Sequence, residues 1–419
     1  MRYLAIAMAA CLAIYTPLAM AGAPTFSTKA LASAGSISIY PFDIVLGLAI
    51  LALLIANAFF FEPDPVAANR YVVSLCLAYV GYQLFIVLPA AVLFHDLRPI
   101  DVLRAQEARL SLVLVLVVYG VVLRYSRSSL LVTFLDVAAA VLALWVVYVY
   151  ATKGGQGTMV GGRYTVREIW GGATLLFGWL FYTSLFYWPV RWWRVGLAIL
   201  AVGGIVLANH RSGFVALIAS FVVLMLAMGR VTRRVVLTVA VIGIVGLGVS
   251  YMAPSVRESA AYSVRTMFSS TSDTNAQDRV VRSRLGFDYF VAHPMGDYIW
   301  SHRYYLVNVN YDFPPHNFVV QLLTIQGLVA SLLLFAVMGG SLAIAWKNRR
   351  DPPSAVMLAY LTFYLTFSLF NTTIDQLENL ALFGVAAGFI LHRNRVLHGV
   401  GAASAPRETA AVTARSRAA

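Results

Sequence analysis

Three short polar stretches interrupt an otherwise apolar chain, and they hold the residue types that could do chemistry. The first is Asn209-His210-Arg211-Ser212-Gly213, a tight turn between two apolar runs. Ser212 reads as a candidate N-cap for a helix beginning near Gly213. A helix start offers unpaired backbone N–H groups and the positive end of the dipole, and Arg211 adds a permanently charged, planar donor fork. That combination suits phosphate oxygens. The plain alternative is an arginine that snorkels to lipid headgroups. The second stretch is Asp278-Arg279-Val280-Val281-Arg282-Ser283-Arg284, followed by an apolar-aromatic run to His293-Pro294-Met295-Gly296. If Arg279 to Ala292 is helical, the i, i+3 spacing puts Arg279 and Arg282 on one face and turns Arg284 elsewhere. Two arginines on a face can grip a diphosphate; the alternative is a solvated basic face. The third is Asp312-Phe313-Pro314-Pro315-His316-Asn317. Two prolines stiffen the approach and Asn317 is placed to cap the helix that follows. The positive dipole end beside His316 disfavours imidazolium, which suits a neutral proton acceptor. The alternative there is an interfacial histidine without a task. His293, His302 and His316 are too irregularly spaced to read as metal ligands, so neither a metal nor another cofactor is expected.

The elements that must position these stretches follow from composition. Of 419 residues, 60% are hydrophobic and 12% charged, with a mean hydropathy of +0.77, which excludes a soluble enzyme. The expected fold is an all-α membrane protein with about twelve transmembrane helices. Apolar spans read at about 3–21, 37–61, 71–94, 110–123, 128–150, 169–190, 193–209, 213–229, 235–253, 317–346, 354–371 and 377–392. The first also has the look of a cleavable signal peptide. Alternate short connections are basic: Arg70; Arg124 and Arg127; Arg191 and Arg194; Arg230, Arg233 and Arg234; Lys347, Arg349 and Arg350. The positive-inside rule therefore puts the N-terminus inside, and Arg211, residues 254–316 and the 372–376 turn outside. The expected organisation is transmembrane helices 1–9 over 1–253, an extracytoplasmic loop with short helices over 254–316, helices 10–12 over 317–392, and a disordered cytoplasmic tail over 393–419.

The net charge of +13 reads as topology and attraction to anionic membrane lipids, not as nucleic-acid binding. Cys11 and Cys76 lie in apolar runs, so no disulfide framework is expected. Asp43 and Asp136 are the ionisable residues inside the spans, too sparse for an ion-coupled transporter. The glycine-rich patch Gly154 to Gly162 follows a membrane helix and reads as a flexible turn, not a phosphate loop.

Taken together, the three stretches resemble the bacterial O-antigen ligase and O-antigen polymerase family of multi-span glycosyltransferases, over roughly residues 200–345. Arg211-Ser212-Gly213 is similar to the family's Ser-Arg-Gly-type turn, with His210 in the serine position. Arg279, upstream of Pro294-Met295-Gly296, resembles the arginine that precedes the family's Pro-x-x-Gly segment. The segment here is Pro-x-Gly, one residue short, so Arg279, Arg282 and Arg284 all stay open. His316-Asn317, Gln321-Leu322-Leu323 and Gln326-Gly327-Leu328 resemble the His-Asn-x-x-Leu pattern with its closing Gly-Leu step.

The resemblance implies an undecaprenyl-diphosphate-linked glycan as donor, with lipid A core or another glycan as acceptor, at the outer, periplasmic face of the inner membrane. It implies metal-independent, inverting transfer. Arg211 with Arg279 or Arg282 would hold the diphosphate, His316 would be the base, and Asn317 and Ser212 would support them. Asp278, Asp288 and Asp312 leave a divalent ion as an alternative. Ligase is the preferred reading, O-antigen or exopolysaccharide polymerase the alternative, and a lipid-linked glycan flippase or other transporter the reading from another class.

Overall fold

A computed structural model describes residues 2–20, 32–34, 37–39, 41–60, 64–95, 112–152, 158–160, 163–165, 172–207, 211–229, 233–250, 274–296, 317–371 and 377–399. Apart from two three-residue antiparallel ladders, Ala32–Ala34 with Ile37–Ile39 and Thr158–Val160 with Arg163–Thr165, its elements are helices. The second ladder enters the glycine-rich patch expected to be a bare turn. A helical segment lies over each of the twelve apolar runs. Five are long and apolar enough to cross a membrane: Ala67–Leu93, Ser128–Val149, Phe318–Lys347, Pro352–Leu369 and Asn379–His398. Shorter apolar helices accompany them, including Ala173–Tyr187, Trp192–Leu207 and Ser212–Met228. The chain is a multi-pass helical membrane protein.

The segments that become helices are runs of Leu, Ile, Val, Ala and Phe, in which the only way to satisfy backbone polar groups without water is the internal i to i−4 ladder. With lipid on the outside, the pull between helices comes from close packing and polar contacts, not from burial of oil in water. The helix Arg211–Met228 shows this. Its buried face carries Gly213, Ala216, Ser220 and Ala227, and these small residues let it lie closely along Pro352–Leu369, whose own face presents Ala355, Ala359, Phe363 and Phe367. Ser220 and the Tyr182 hydroxyl hydrogen-bond within the same interior. Gly178 sits against the ring of Phe363, where a side chain would collide with it.

The Pro352–Leu369 helix runs between the two ends of the bundle. It starts at Asp351, whose carboxylate caps it by accepting from Ser354 N (3.2 Å) and Ser354 Oγ (2.8 Å), with Pro352 and Pro353 in the first turn where a missing N–H costs nothing. Arg393 forks onto the same carboxylate at 2.9 and 2.7 Å. Beside it a chain of amides runs from Asn69 through Asn394 to Asn348 and on to His398, each link 2.8 Å, which welds three helices at this end. The opposite end of the helix is Leu369 and the turn Phe370–Asn371.

Asp136, one of the two acids inside the spans, proves to be the centre of a buried cluster. It accepts from Thr183 Oγ1 (2.6 Å), Trp188 Nε1 (2.8 Å) and Arg194 Nη1 (2.8 Å), and the Arg194 guanidinium lies over the Trp188 and Trp193 rings at 4.8 and 3.9 Å. Arg194 reads in the sequence as one of the basic connection residues that set orientation; in the fold it is buried and committed to Asp136. A carboxylate so enclosed is tolerable only with its cation and hydrogen-bond donors in place.

Candidate functional site

The helix that follows the first polar stretch begins at Arg211, so Ser212 lies inside the first turn and does not stand before Gly213 as its cap. Ser212 is buried, and its hydroxyl accepts from Asn371 Nδ2 at 2.7 Å. Gly213 fits closely there: a methyl group at that position would come to 3.0 Å from Thr174 Cγ2 and 3.1 Å from Ile205 Cγ2, so those side chains would have to give by a few tenths of an ångström. The arginine turn is thus wedged between the ends of two neighbouring helices and tied to a third. Arg211 is described by its place as the first residue of the helix.

The second stretch is helical from Thr274 to Ala292, five residues earlier than the apolar pattern marks. Arg279 donates from Nη1 to the carbonyl oxygen of Phe370 at 3.0 Å. Phe370 is the C-cap of the Pro352–Leu369 helix, where the carbonyls carry the negative end of the dipole and a guanidinium is favoured. Arg282, one turn along, is half-buried, and Arg284 is exposed. Two elements far apart in sequence therefore meet at consecutive residues. The Arg211 helix is held by Asn371, and Arg279 is held by Phe370.

The third stretch leads into Phe318–Lys347. Asn317 caps that helix as its position suggests, its side-chain oxygen accepting from Val319 N (3.0 Å) and Val320 N (3.3 Å), an arrangement of about 1 kcal/mol. His316 immediately precedes it and, with His302 and Asp312, lies outside the described residues. Nine residues into the helix the regular ladder breaks. Gly327 has φ 73° and ψ 180°, a conformation essentially restricted to glycine. Leu328 N donates instead to Pro294 O at 2.9 Å, and Gly296, with φ 76°, packs directly on Gly327. The two glycine motifs of the sequence, Pro294-Met295-Gly296 and Gln326-Gly327-Leu328, are thus the two halves of one backbone clasp. A second tie lies upstream, where Thr324 Oγ1 is 3.0 Å from Gly286 O. The ties occur in the same order along both helices, so Arg279 and Asn317, each about two turns before the Gly286–Thr324 contact, lie on the same side of the crossing.

The break also has support from within the bundle. Gln326 accepts from Tyr79 Oη at 2.8 Å, and Tyr79 precedes a π turn at Gln83–Val87 in the Ala67–Leu93 run. Nothing in the sequence signals that π turn or those at Val118–Val122 and Thr183–Tyr187. Sequence reasoning also passed over Asn371, although an asparagine directly after an apolar helix is the kind of residue that ties a helix end to its neighbours. Among the described residues no cluster of three or more His, Cys, Asp or Glu side chains is arranged to hold a metal ion.

Chemically, this end of the bundle offers a helix N-terminus with an arginine in its first position and a second helix bearing Arg279 and Arg282. Those features suit an anion with more than one phosphate. A comparison with curated proteins gives no match. Residues 196–335 match a family model described as O-antigen ligase, a segment that takes in Arg211, the arginine helix, His316, Asn317 and the Gly327 clasp. Over that segment the chain is similar to the O-antigen ligase family.

Proposed function

We propose that this protein is a glycosyltransferase that moves a glycan from an undecaprenyl-diphosphate carrier to a sugar hydroxyl of an acceptor at the periplasmic face of the inner membrane, and that it works as an O-antigen ligase on lipid A core. The topology behind the proposal is twelve spans with residues 254–316 as the extracytoplasmic loop and a cytoplasmic tail that begins only after His398, because the last helix, expected to stop at 392, runs on to that residue and ties Arg393, Asn394 and His398 to its neighbours. The observation that carries the reading is the meeting of the Arg211 helix and Arg279 at Phe370–Asn371, inside a chain with an O-antigen ligase segment.

In this mechanism the carrier's lipid tail lies along the apolar flank of the bundle while Arg211 and Arg279, with Arg282 one turn away, neutralise the diphosphate. The acceptor oxygen attacks the anomeric carbon from the side opposite the leaving group. The carbon–oxygen bond to diphosphate breaks with its electron pair going to the diphosphate, and the configuration inverts. His316, next to the positive end of the helix that Asn317 caps, takes the hydroxyl proton. Compensated diphosphate is a good leaving group, so neither a general acid nor a metal is required. One positioned charge is worth on the order of 2.7–4 kcal/mol of barrier. Activity that survives excess chelator agrees with metal independence; loss that added divalent ion restores contradicts it.

The test is the profile of surface and lipid-linked glycans from cells lacking the gene, complemented with wild type. Uncapped lipid A core, with long chains stranded on the carrier, is the expected result. Core bearing single repeats would make the protein a polymerase, and an unchanged lipopolysaccharide profile would overturn the ligase assignment.

A further inference from the structure

Asn371 is the residue that joins the parts of the proposed donor site, and its bonding leaves little freedom. A primary amide carries two N–H hydrogens. One goes to Ser212 Oγ at 2.7 Å, in the first turn of the Arg211 helix, and the other to Phe367 O at 2.8 Å, in the last turn of its own helix. The backbone of the same turn is closed by Phe370 N to Phe367 O and Asn371 N to Ser368 O, both 3.2 Å. That closure aims the Phe370 carbonyl at Arg279. The Ser212 hydroxyl is buried, so the partner it receives from Asn371 is one that water cannot easily replace.

We infer that Asn371 is a positioning residue for diphosphate binding: it sets the first turn of the Arg211 helix and, through the adjoining Phe370 carbonyl, the arginine of the Thr274–Ala292 helix, so that the helix start and Arg279 are held at a fixed separation for one ligand. This rests on the donor-site reading above and adds to it the residue that assembles the site. Asn371 itself does no chemistry. A side chain that only held the fold together would lower stability without changing ligand affinity in the folded protein, whereas a positioning residue changes the affinity.

The experiment uses the purified full chain in nanodiscs, with undecaprenyl diphosphate as the probe. Its dissociation constant and the thermal unfolding midpoint are measured for wild type, Asn371→Ala, Ser212→Ala, the double variant and Arg279→Ala. Ser212→Ala removes a single hydroxyl and guards against a misfolded Asn371 variant. Each single variant at the hub is expected to weaken binding about threefold to tenfold, the worth of one hydrogen bond. The double variant is expected to be no weaker than the worse single one, because both remove the same link. Wild-type affinity in folded Asn371→Ala and Ser212→Ala, or losses that simply multiply in the double variant, would overturn the inference while leaving the donor site standing if Arg279→Ala binds poorly. Wild-type affinity in Arg279→Ala as well would remove the donor-site reading and this inference with it.

Discussion

Replacing Gly327 with alanine puts the clasp between the arginine helix and the broken helix to a quantitative test. At φ 73° and ψ 180° an alanine pays about 1–3 kcal/mol for the backbone alone. Its methyl group would also fall on the Met295 carbonyl and within 2.8 Å of Gly296 N, so the two chains must separate. Separation breaks the bond from Leu328 N to Pro294 O, worth about 0.5–1.5 kcal/mol. The sum is about 1.5–4.5 kcal/mol, which at this chain length lowers the unfolding midpoint by roughly 2–5 °C. Gly339, in the same helix, has ordinary helical geometry and open space, with nothing within 4 Å of where a methyl group would sit. Gly339→Ala should therefore be neutral or stabilising by up to about 1 kcal/mol. Both variants would be followed by thermal unfolding in detergent and by hydrogen exchange over 286–296 and 322–330. Faster exchange in both peptides of Gly327→Ala, with Gly339→Ala unchanged, is the expected pattern. A Gly327→Ala protein with the wild-type midpoint and wild-type exchange would refute the clasp.

Other consequences are as direct. Arg194→Ala leaves Asp136 buried without its cation and should cost about 3–5 kcal/mol, seen as a large fall in the unfolding midpoint, whereas Arg194→Met combined with Asp136→Leu should recover most of it. Arg211→Ala and His316→Ala should each lower turnover at least about a hundredfold with membrane insertion intact, measured by glycan transfer from lipid-linked donor. Arg211→Lys should stay badly impaired if the planar fork matters, and regain most activity if charge alone does.

How far the sequence revealed all this depended on which physical signal each feature leaves. The twelve helical segments were legible because an uninterrupted apolar run has few alternatives in lipid. Asn317 was legible as a cap because Pro314-Pro315-His316-Asn317 ends a stiff approach immediately before such a run. The start of the arginine helix at Thr274 was not, since Thr274 to Asp278 is polar throughout but for one alanine and carries no apolar period. The break at Gly327 was invisible inside a span that reads as continuous from 317 to 346. A single glycine in a membrane helix is common, and only the approach of Gly296 explains why it must be there. Ser212 looked like a cap because caps are local, but its partner, Asn371, is distant in sequence and leaves no local trace. Arg194 was misread for the same reason: its charge suggested a connection residue, and Asp136 lies on another helix.

The central claim is tested most directly with purified protein, a glycan on undecaprenyl diphosphate and lipid A core, by following where the glycan goes. Transfer to the core, with release of free undecaprenyl diphosphate, inversion at the anomeric carbon and loss of turnover in His316→Ala, is what the account predicts. A glycan that remains on its carrier, or turnover undiminished in His316→Ala, would contradict it.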